Sequence, residues 1–249
     1  MLFLYIMKKI KNFILSLGLI SIFYENVNDS KLINLNKNFD EDKKTIEEII
    51  LERAEESQTI MFGDFHHPDY LETETLLKKL MPDFKDLGFD YLCIEIPTST
   101  QNLINKVIKG SLDSISYINK LGSITEGSGK ITNDGAYNII KEAAKNNFKI
   151  IAYDDWSFKD DIEDNKRDKE QFENLKKLIF MQDINAKAII FCGNVHVSES
   201  RYLFYDQEFI RLGKHLNDYT KDKNLSLSIG GEVHDPDISI NNNKIKIYR

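Results

Sequence analysis

"AKAIIFCGN", residues 186–194, sets five apolar side chains in a row, Ala188 to Cys192, and then stops at Gly193 and Asn194. A run that short and that continuous reads as a strand buried on both faces, because a half-exposed strand would alternate apolar with polar. Strands buried on both faces belong to parallel sheets covered by helices. Three other stretches repeat the pattern: "TIMFGD" (59–64), "FDYLCIEIP" (89–97) and "FKIIAYDD" (148–155).

Helical periods lie between these runs. Ile46, Ile49, Ile50 and Ala54 recur at spacings of three and four, with Asp40 or Asp42 as the expected cap. Leu76, Leu77, Leu80, Phe84 and Leu87 mark a second helix, kinked or restarted at Pro82 and ended by Gly88. Residues 99–109 and 134–146 read as further helices, as does the stretch through Phe172, Leu175, Leu178 and Ile179. Residues 110–132 contain Gly110, Gly122, Gly127 and Gly129 and read as an insertion with at most a short helix. A last helix is expected near 207–218, then the strand "LSLSIGG" and a hairpin in "DISINNNKIKIY" turned at its asparagines. The alternation predicts an α/β fold, a mainly parallel sheet flanked by helices with a C-terminal hairpin, forming a single domain over 40–249.

The segment ahead of that domain differs. Lys8, Lys9 and Lys11 precede an apolar run of about a dozen residues ending near Tyr24, shorter than the ~20 a membrane-spanning helix needs. Residues 1–24 are therefore expected to be a signal peptide or membrane anchor, with 25–39 as a polar linker. The corresponding location is secreted, periplasmic or membrane-anchored, and membrane attachment would run through the N-terminus.

The chain has 249 residues, 41% hydrophobic content and a net charge of −7. That balance offers no basic footprint for a phosphate backbone, so nucleic acid is not an expected partner. The two cysteines, Cys93 and Cys192, lie inside apolar runs and read as buried thiols rather than a bridge or a zinc site. No nucleotide-binding glycine loop and no GxSxG serine-hydrolase elbow is present.

In open parallel sheets the functional crevice lies beyond the carboxyl ends of the strands. Here those ends are polar. The first run finishes in Gly63, Asp64, Phe65, His66 and His67; the second holds Glu95 between Ile94 and Ile96; the third ends in Asp154 and Asp155; the fourth ends in Gly193, Asn194, Val195 and His196. A carboxylate inside an apolar strand needs a partner, because desolvating it alone costs several kcal/mol. Imidazole with carboxylate suits two chemistries. They are ligands for Zn²⁺, Mn²⁺ or Fe²⁺, or, without metal, a general acid–base pair. A glycine three residues before each histidine permits a sharp turn off the strand or close approach to a ligand. His67 reads as surface-exposed and His215, inside the helical "LGKHLND", as structural or exposed. His234, in a third GxxH at 231–234, is a weaker site candidate.

GDFH at 63–66, "YLCIEIP" with Glu95, "IIAYD" ending at Asp154 and "IIFCGNVHVSES" with His196 resemble the Tiki/ChaN/erythromycin-esterase superfamily over roughly 58–217. "RDKEQFENLKKLI" is similar to the Arg-Asp helix start of the erythromycin-esterase branch. The resemblance implies an α/β sandwich with its site at the strand ends, with His66, Glu95 and His196 as catalytic or metal-binding residues. Asp64, Asp154 and Arg167 would contact substrate, and Asp168 and Asn174 are secondary candidates. The first motif carries Asp64 where many relatives carry Glu, a side chain one methylene shorter. Two activities follow as expectations. One is hydrolysis of an ester or amide bond in a small-molecule or peptide substrate, with a divalent metal such as Mn, Zn or Fe. The other is binding of haem or another ligand in the ChaN manner, with an axial His or Tyr.

Overall fold

Strand β1 (Thr59–Asp64) is buried along its whole length, and its neighbours on both sides run parallel to it. In the computed structural model the described residues are 44–64, 71–124, 134–155, 164–204, 207–229, 238–241 and 244–247. Along the chain α1 (Ile46–Glu56) leads to β1. Helix α2 (Leu71–Asp86), β2 (Phe89–Pro97), a 3₁₀ turn (Thr98–Thr100), α3 (Gln101–Ile108), α4 (Ser114–Ile124) and α5 (Asp134–Lys145) follow. Next come β3 (Lys149–Asp154), α6 (Asp164–Leu175) with a π-helical turn (Lys176–Phe180), β4 (Lys187–Gly193) and a 3₁₀ turn (Asn194–Val197). A small hairpin, β5 (Arg201–Phe204) and β6 (Gln207–Ile210), precedes α7 (Leu212–Thr220) and β7 (Asn224–Ile229). Strands β8 (Ile238–Asn241) and β9 (Lys244–Ile247) form the C-terminal hairpin.

The sheet order is β3-β2-β4-β1-β7-β8-β9, parallel except for the final β8–β9 pairing. Thr45–Arg249 packs as one compact unit. The α/β class, the mainly parallel sheet and the C-terminal hairpin agree with the sequence pattern. The expected leader and linker, residues 1–39, lie outside the described residues.

Continuous apolar strands have two faces to cover, and two apolar layers cover them. On one side Ile60, Phe62, Leu92, Ile94, Ile96, Ile150, Ile189 and Leu227 meet Ile50, Leu77, Phe84, Ile104 and Ile140 from the helices α1, α2, α3 and α5. On the other side Met61, Cys93, Tyr153, Ile190 and Cys192 meet Phe172, Leu175, Leu212 and Leu216 of α6 and α7. Both thiols are free and buried, as their apolar surroundings indicate.

Four local expectations change. Helix α1 is capped by Thr45, not by Asp40 or Asp42. The Thr45 hydroxyl accepts from the Glu48 amide while the Glu48 carboxylate accepts from the Thr45 amide, a reciprocal box that satisfies two orphan donors. Helix α2 runs unbroken through Pro82, because its apolar stripe of Leu77, Leu80, Met81 and Phe84 is fully buried and packing outweighs one missing amide bond. It ends at Gly88, whose φ of 86° admits few other residues. Residues 114–124 form a full helix, with Tyr117 buried, rather than a short one. Finally, 207–210 is the second strand of the β5–β6 hairpin, and the helix begins at Leu212.

Candidate functional site

The sheet order sets the carboxyl ends of β3, β2, β4 and β1 side by side, which brings Asp154, Glu95, Gly193 and Asp64 into one row. Glu95 lies in an interior strand, at an irregularity in the β2–β3 register between Ile94 and Pro97. Such a break re-aims a side chain at a strand end. Glu95 lies two residues beyond Cys93, which packs under α6, and α6 meets it with Arg167 and Gln171.

Arg167 is the clamp. Its Nη2 donates to Glu95 Oε1 at 2.5 Å and to Asp154 Oδ2 at 2.8 Å, and its Nε donates to Asp154 Oδ1 at 3.2 Å. The planar guanidinium spans two strand ends because its donors form a rigid fork. Gln171, one turn further, gives its amide to Asp154 Oδ1 at 2.9 Å and to Glu95 Oε1 at 3.4 Å. The second Glu95 oxygen accepts the Gly193 amide at 2.6 Å.

His196 sits on the 3₁₀ turn that leaves β4, only 3% exposed. Its two ring nitrogens face two different carboxylates: Nδ1 lies 2.6 Å from Asp168 Oδ1 and Nε2 lies 3.2 Å from Glu95 Oε1. Asp168 is fully buried and is held from behind. Arg211 Nη1 donates to its Oδ2 at 3.1 Å, and the Leu212 amide, at the start of α7, donates to its Oδ1 at 3.0 Å. Three carboxylates (Glu95, Asp154, Asp168) thus interleave with Arg167, Arg211 and a histidine, which offsets much of the cost of burying each charge.

The titration of the pair follows. Burial alone would push the Glu95 carboxyl up, but His196, Arg167 and the Gly193 amide together hold it well below the usual carboxylate range. Burial alone would lower His196, yet the Glu95 and Asp168 charges and hydrogen bonds push it up to about 10. His196 is therefore an imidazolium at neutral pH, donating at both nitrogens.

Of the residues singled out in the sequence, Glu95, Asp154, Arg167, Asp168 and His196 come together in this cluster. Asp64 stands at the neighbouring strand end, where its Oδ1 accepts from Thr73 Oγ1 at 2.8 Å. His66, His67 and His234 lie outside the described residues. Asn174 is a positioning contact, its amide donating to the Tyr153 carbonyl at 3.0 Å. His215 is structural, stacked on Phe172 with ring centroids 5.5 Å apart. Sequence reading passed over Gln171, Arg211 and Thr73. Gln171 had a legible signal, since positions 167, 168 and 171 share one helix face.

The donor set bears on the metal expectation. Glu95 presents both oxygens to hydrogen-bond donors, and His196 presents both nitrogens to carboxylates. Among the described residues no group of three His, Cys, Asp or Glu is arranged to hold a metal ion. As placed, Glu95 and His196 do not fit a metal: every ligating atom they have is already engaged, and a guanidinium lies against the shared carboxylate.

No protein-family model and no curated protein sequence matches this chain. Solved structures share the fold at low identity. The type III effector HopBA1 superposes with a TM-score of 0.55 and 14% identity, over 75% of this chain and 83% of the effector. RRSP, a MARTX toxin effector domain from Vibrio vulnificus CMCP6, superposes with a TM-score of 0.54 and 11% identity. That match covers 84% of this chain but only 38% of the toxin chain. The haem-binding ChaN of Campylobacter jejuni overlays more weakly, with a TM-score of 0.46 and 13% identity over 77% and 88% of the two chains. The likenesses to HopBA1 and RRSP establish a common α/β architecture.

Proposed function

We propose that this protein hydrolyses an ester or amide bond by metal-independent proton transfer, with His196 as the general acid. The observation that carries the reading is the asymmetry of the His196 bonds. Nδ1 is anchored to buried Asp168 at 2.6 Å, whereas Nε2 rests on Glu95 at 3.2 Å and is the looser of the two. An imidazolium held at one nitrogen and loosely bonded at the other can deliver its second proton to a leaving group.

In the proposed reaction the oxygen of a water adds to the substrate carbonyl carbon. The C–O or C–N bond then breaks, and the departing oxygen or nitrogen takes the Nε2 proton of His196. Asp168 fixes the ring. Arg167 bonds the Glu95 and Asp154 side chains beside it, so the surround that sustains the imidazolium is built before substrate arrives. The proton lost by the water goes to a carboxylate of the strand-end row. Glu95 is the poorer acceptor because Arg167 and His196 hold its carboxyl low. Asp64, which ends the neighbouring strand of the row, is assigned that role, with His66 two residues beyond it in the sequence as the alternative acceptor.

The competing reading is a ChaN-like binder of haem or another ligand. His196, whose two nitrogens both face carboxylates, offers no free axial nitrogen to that reading, which would need another His or a Tyr. The lysine-then-apolar segment before residue 24 supports action outside the cytoplasm, which fractionation of the expressed full chain would test.

The test is a panel of chromogenic esters and anilides turned over by the full chain and by His196→Gln. The variant is expected to lose about 10²–10⁴-fold in kcat, the ordinary worth of a positioned acid, and a chelator is expected to leave wild-type turnover unchanged. Equal rates in the two proteins refute the assignment of His196. Loss of activity with chelator, restored by Mn²⁺ or Zn²⁺, refutes the metal-free reading. A Soret band on haem titration that disappears in His196→Gln would favour the ligand-binding alternative.

A further inference from the structure

Asn194 is 3% exposed, and neither its carboxamide oxygen nor its nitrogen has a hydrogen-bond partner among the described residues. It opens the same 3₁₀ turn that carries His196, about 4 Å away along the axis at the ~2 Å rise of such a turn. Its placement is specific. A Cβ added to Gly63, at the end of β1, would come 2.9 Å from Asn194 Oδ1 and 2.6 Å from a Val197 methyl. The missing side chain at Gly63 is what leaves room for the amide. The preceding residue, Gly193, gives its own N–H to Glu95, so the turn is fixed at both sides of Asn194. At the next residue it reaches the surface, where Val195 is 53% exposed.

Buried amides are almost always paired, and leaving one unpaired is costly in a finished fold. The unpaired Oδ1 of Asn194 can accept from an N–H, and its Nδ2 can donate to a carbonyl. A trans amide points its C=O and N–H in opposite directions, so one amide meets one of these atoms at a time, and its N–H suits Oδ1. An ester has a carbonyl and lacks the N–H. We propose that Asn194 is the recognition residue for a secondary amide in the substrate, so that the site selects amides over esters. The proposal rests on the hydrolytic reading of the His196 cluster and narrows its substrate class. It involves binding only; the covalent step stays with His196.

Two measurements on the full chain test it. The first needs no turnover. The side-chain amide protons of ¹⁵N-labelled protein, assigned to Asn194 by their absence in Asn194→Leu, are followed while N-methylacetamide or its ester counterpart, methyl acetate, is added. The amide probe is expected to shift the Asn194 signals and to bind about tenfold or more tightly than the ester, the ordinary worth of one buried neutral hydrogen bond. The second compares kcat/KM for p-nitroacetanilide with that for p-nitrophenyl acetate, and the ratio is expected to fall about tenfold in Asn194→Leu. The variant should melt at or above the wild-type temperature, since it removes an unpaired buried amide. No Asn194 shift at the highest soluble amide concentration, or equal shifts from amide and ester, overturns the proposal. So does a lower melting temperature in Asn194→Leu with the titration preference unchanged. If neither chromogenic substrate is turned over, the hydrolytic reading fails, while the titration still decides whether Asn194 recognises an amide.

Discussion

Replacing Arg167 by Met is the most direct perturbation of the cluster, because the aliphatic length is kept and the fork is removed. The guanidinium makes three charged hydrogen bonds, at 2.5, 2.8 and 3.2 Å, to two carboxylates that are 8% and 0% exposed. At roughly 1.5–3 kcal/mol for each bond to a charged group, simple addition would give about 5–9 kcal/mol. Partners left behind reduce that figure. Gln171 still reaches Asp154 at 2.9 Å, and Gly193 and His196 still serve Glu95. The expected loss at pH 7 is therefore about 3–4 kcal/mol, near the lower end of what breaking a buried ion pair costs. For a domain of this size that is about 6–15 °C in Tm.

The pH dependence gives the reasoning its sign. Glu95 has its folded carboxyl held below the ordinary 4.5, by His196 and Arg167 against the opposing pull of burial. Its contribution to stability is present above pH 4.5 and lost as pH falls through the lower folded value. Removing Arg167 takes away part of that contribution. The gap between wild type and Arg167→Met should then be full at pH 7, hold through pH 5, and narrow only as pH falls below the ordinary carboxylate range toward the lowered folded value. Urea unfolding followed by far-UV circular dichroism across this range measures it directly. Adding Asp154→Asn to Arg167→Met should recover stability relative to the single variant, because one orphaned carboxylate is gone. A loss under about 1 kcal/mol at pH 7 would refute the clamp, as would a loss that stays the same down to the most acid pH at which the wild type still folds.

His196 titrates in the opposite sense. Its folded value of about 10 stands above the ordinary 6.5, so its stabilisation is full below pH 6.5 and fades as pH rises toward 10; the difference in Tm between wild type and His196→Gln should shrink across that window. Two glycines should separate by what their new Cβ meets. In Gly213→Ala it lies 2.4 Å from the Val197 carbonyl oxygen and 2.8 Å from that of Ser198, backbone that cannot turn aside. Gly63→Ala chiefly meets the Val197 methyl and the Asn194 amide. Gly63→Ala is expected to cost about 1–3 kcal/mol and Gly213→Ala more, with loss of the α7 contact, by chemical denaturation. The reverse order would count against the packing of α7 on the turn that carries His196.

What the sequence determined alone is the set of elements whose signal is local. "AKAIIFCGN", "TIMFGD", "FDYLCIEIP" and "FKIIAYDD" each hold their burial within a few residues, and each forms the strand expected of it. Their polar last residues, Asp64, Glu95, Asp154 and the turn after Gly193, could be read the same way, since a parallel sheet places all its strand ends on one edge. The errors arose where the local signal was poor. The β5 and β6 strands are four residues each, too short for a period to distinguish strand from helix. The glycines of 110–132 masked an eleven-residue helix held by Tyr117.

Pairing was decided only by the tertiary structure. Arg167 reaches Glu95 across 72 positions, His196 reaches Asp168 across 28, and Arg211 closes on Asp168 from the start of α7. None of these partners follows from spacing along the chain. They depend on the order β3-β2-β4-β1 and on which sheet face α6 covers. The physical reason is that an ion pair in a desolvated place is set by distances of a few ångströms between remote segments. Apolar periodicity records that a residue is buried, and it carries no information about what lies opposite.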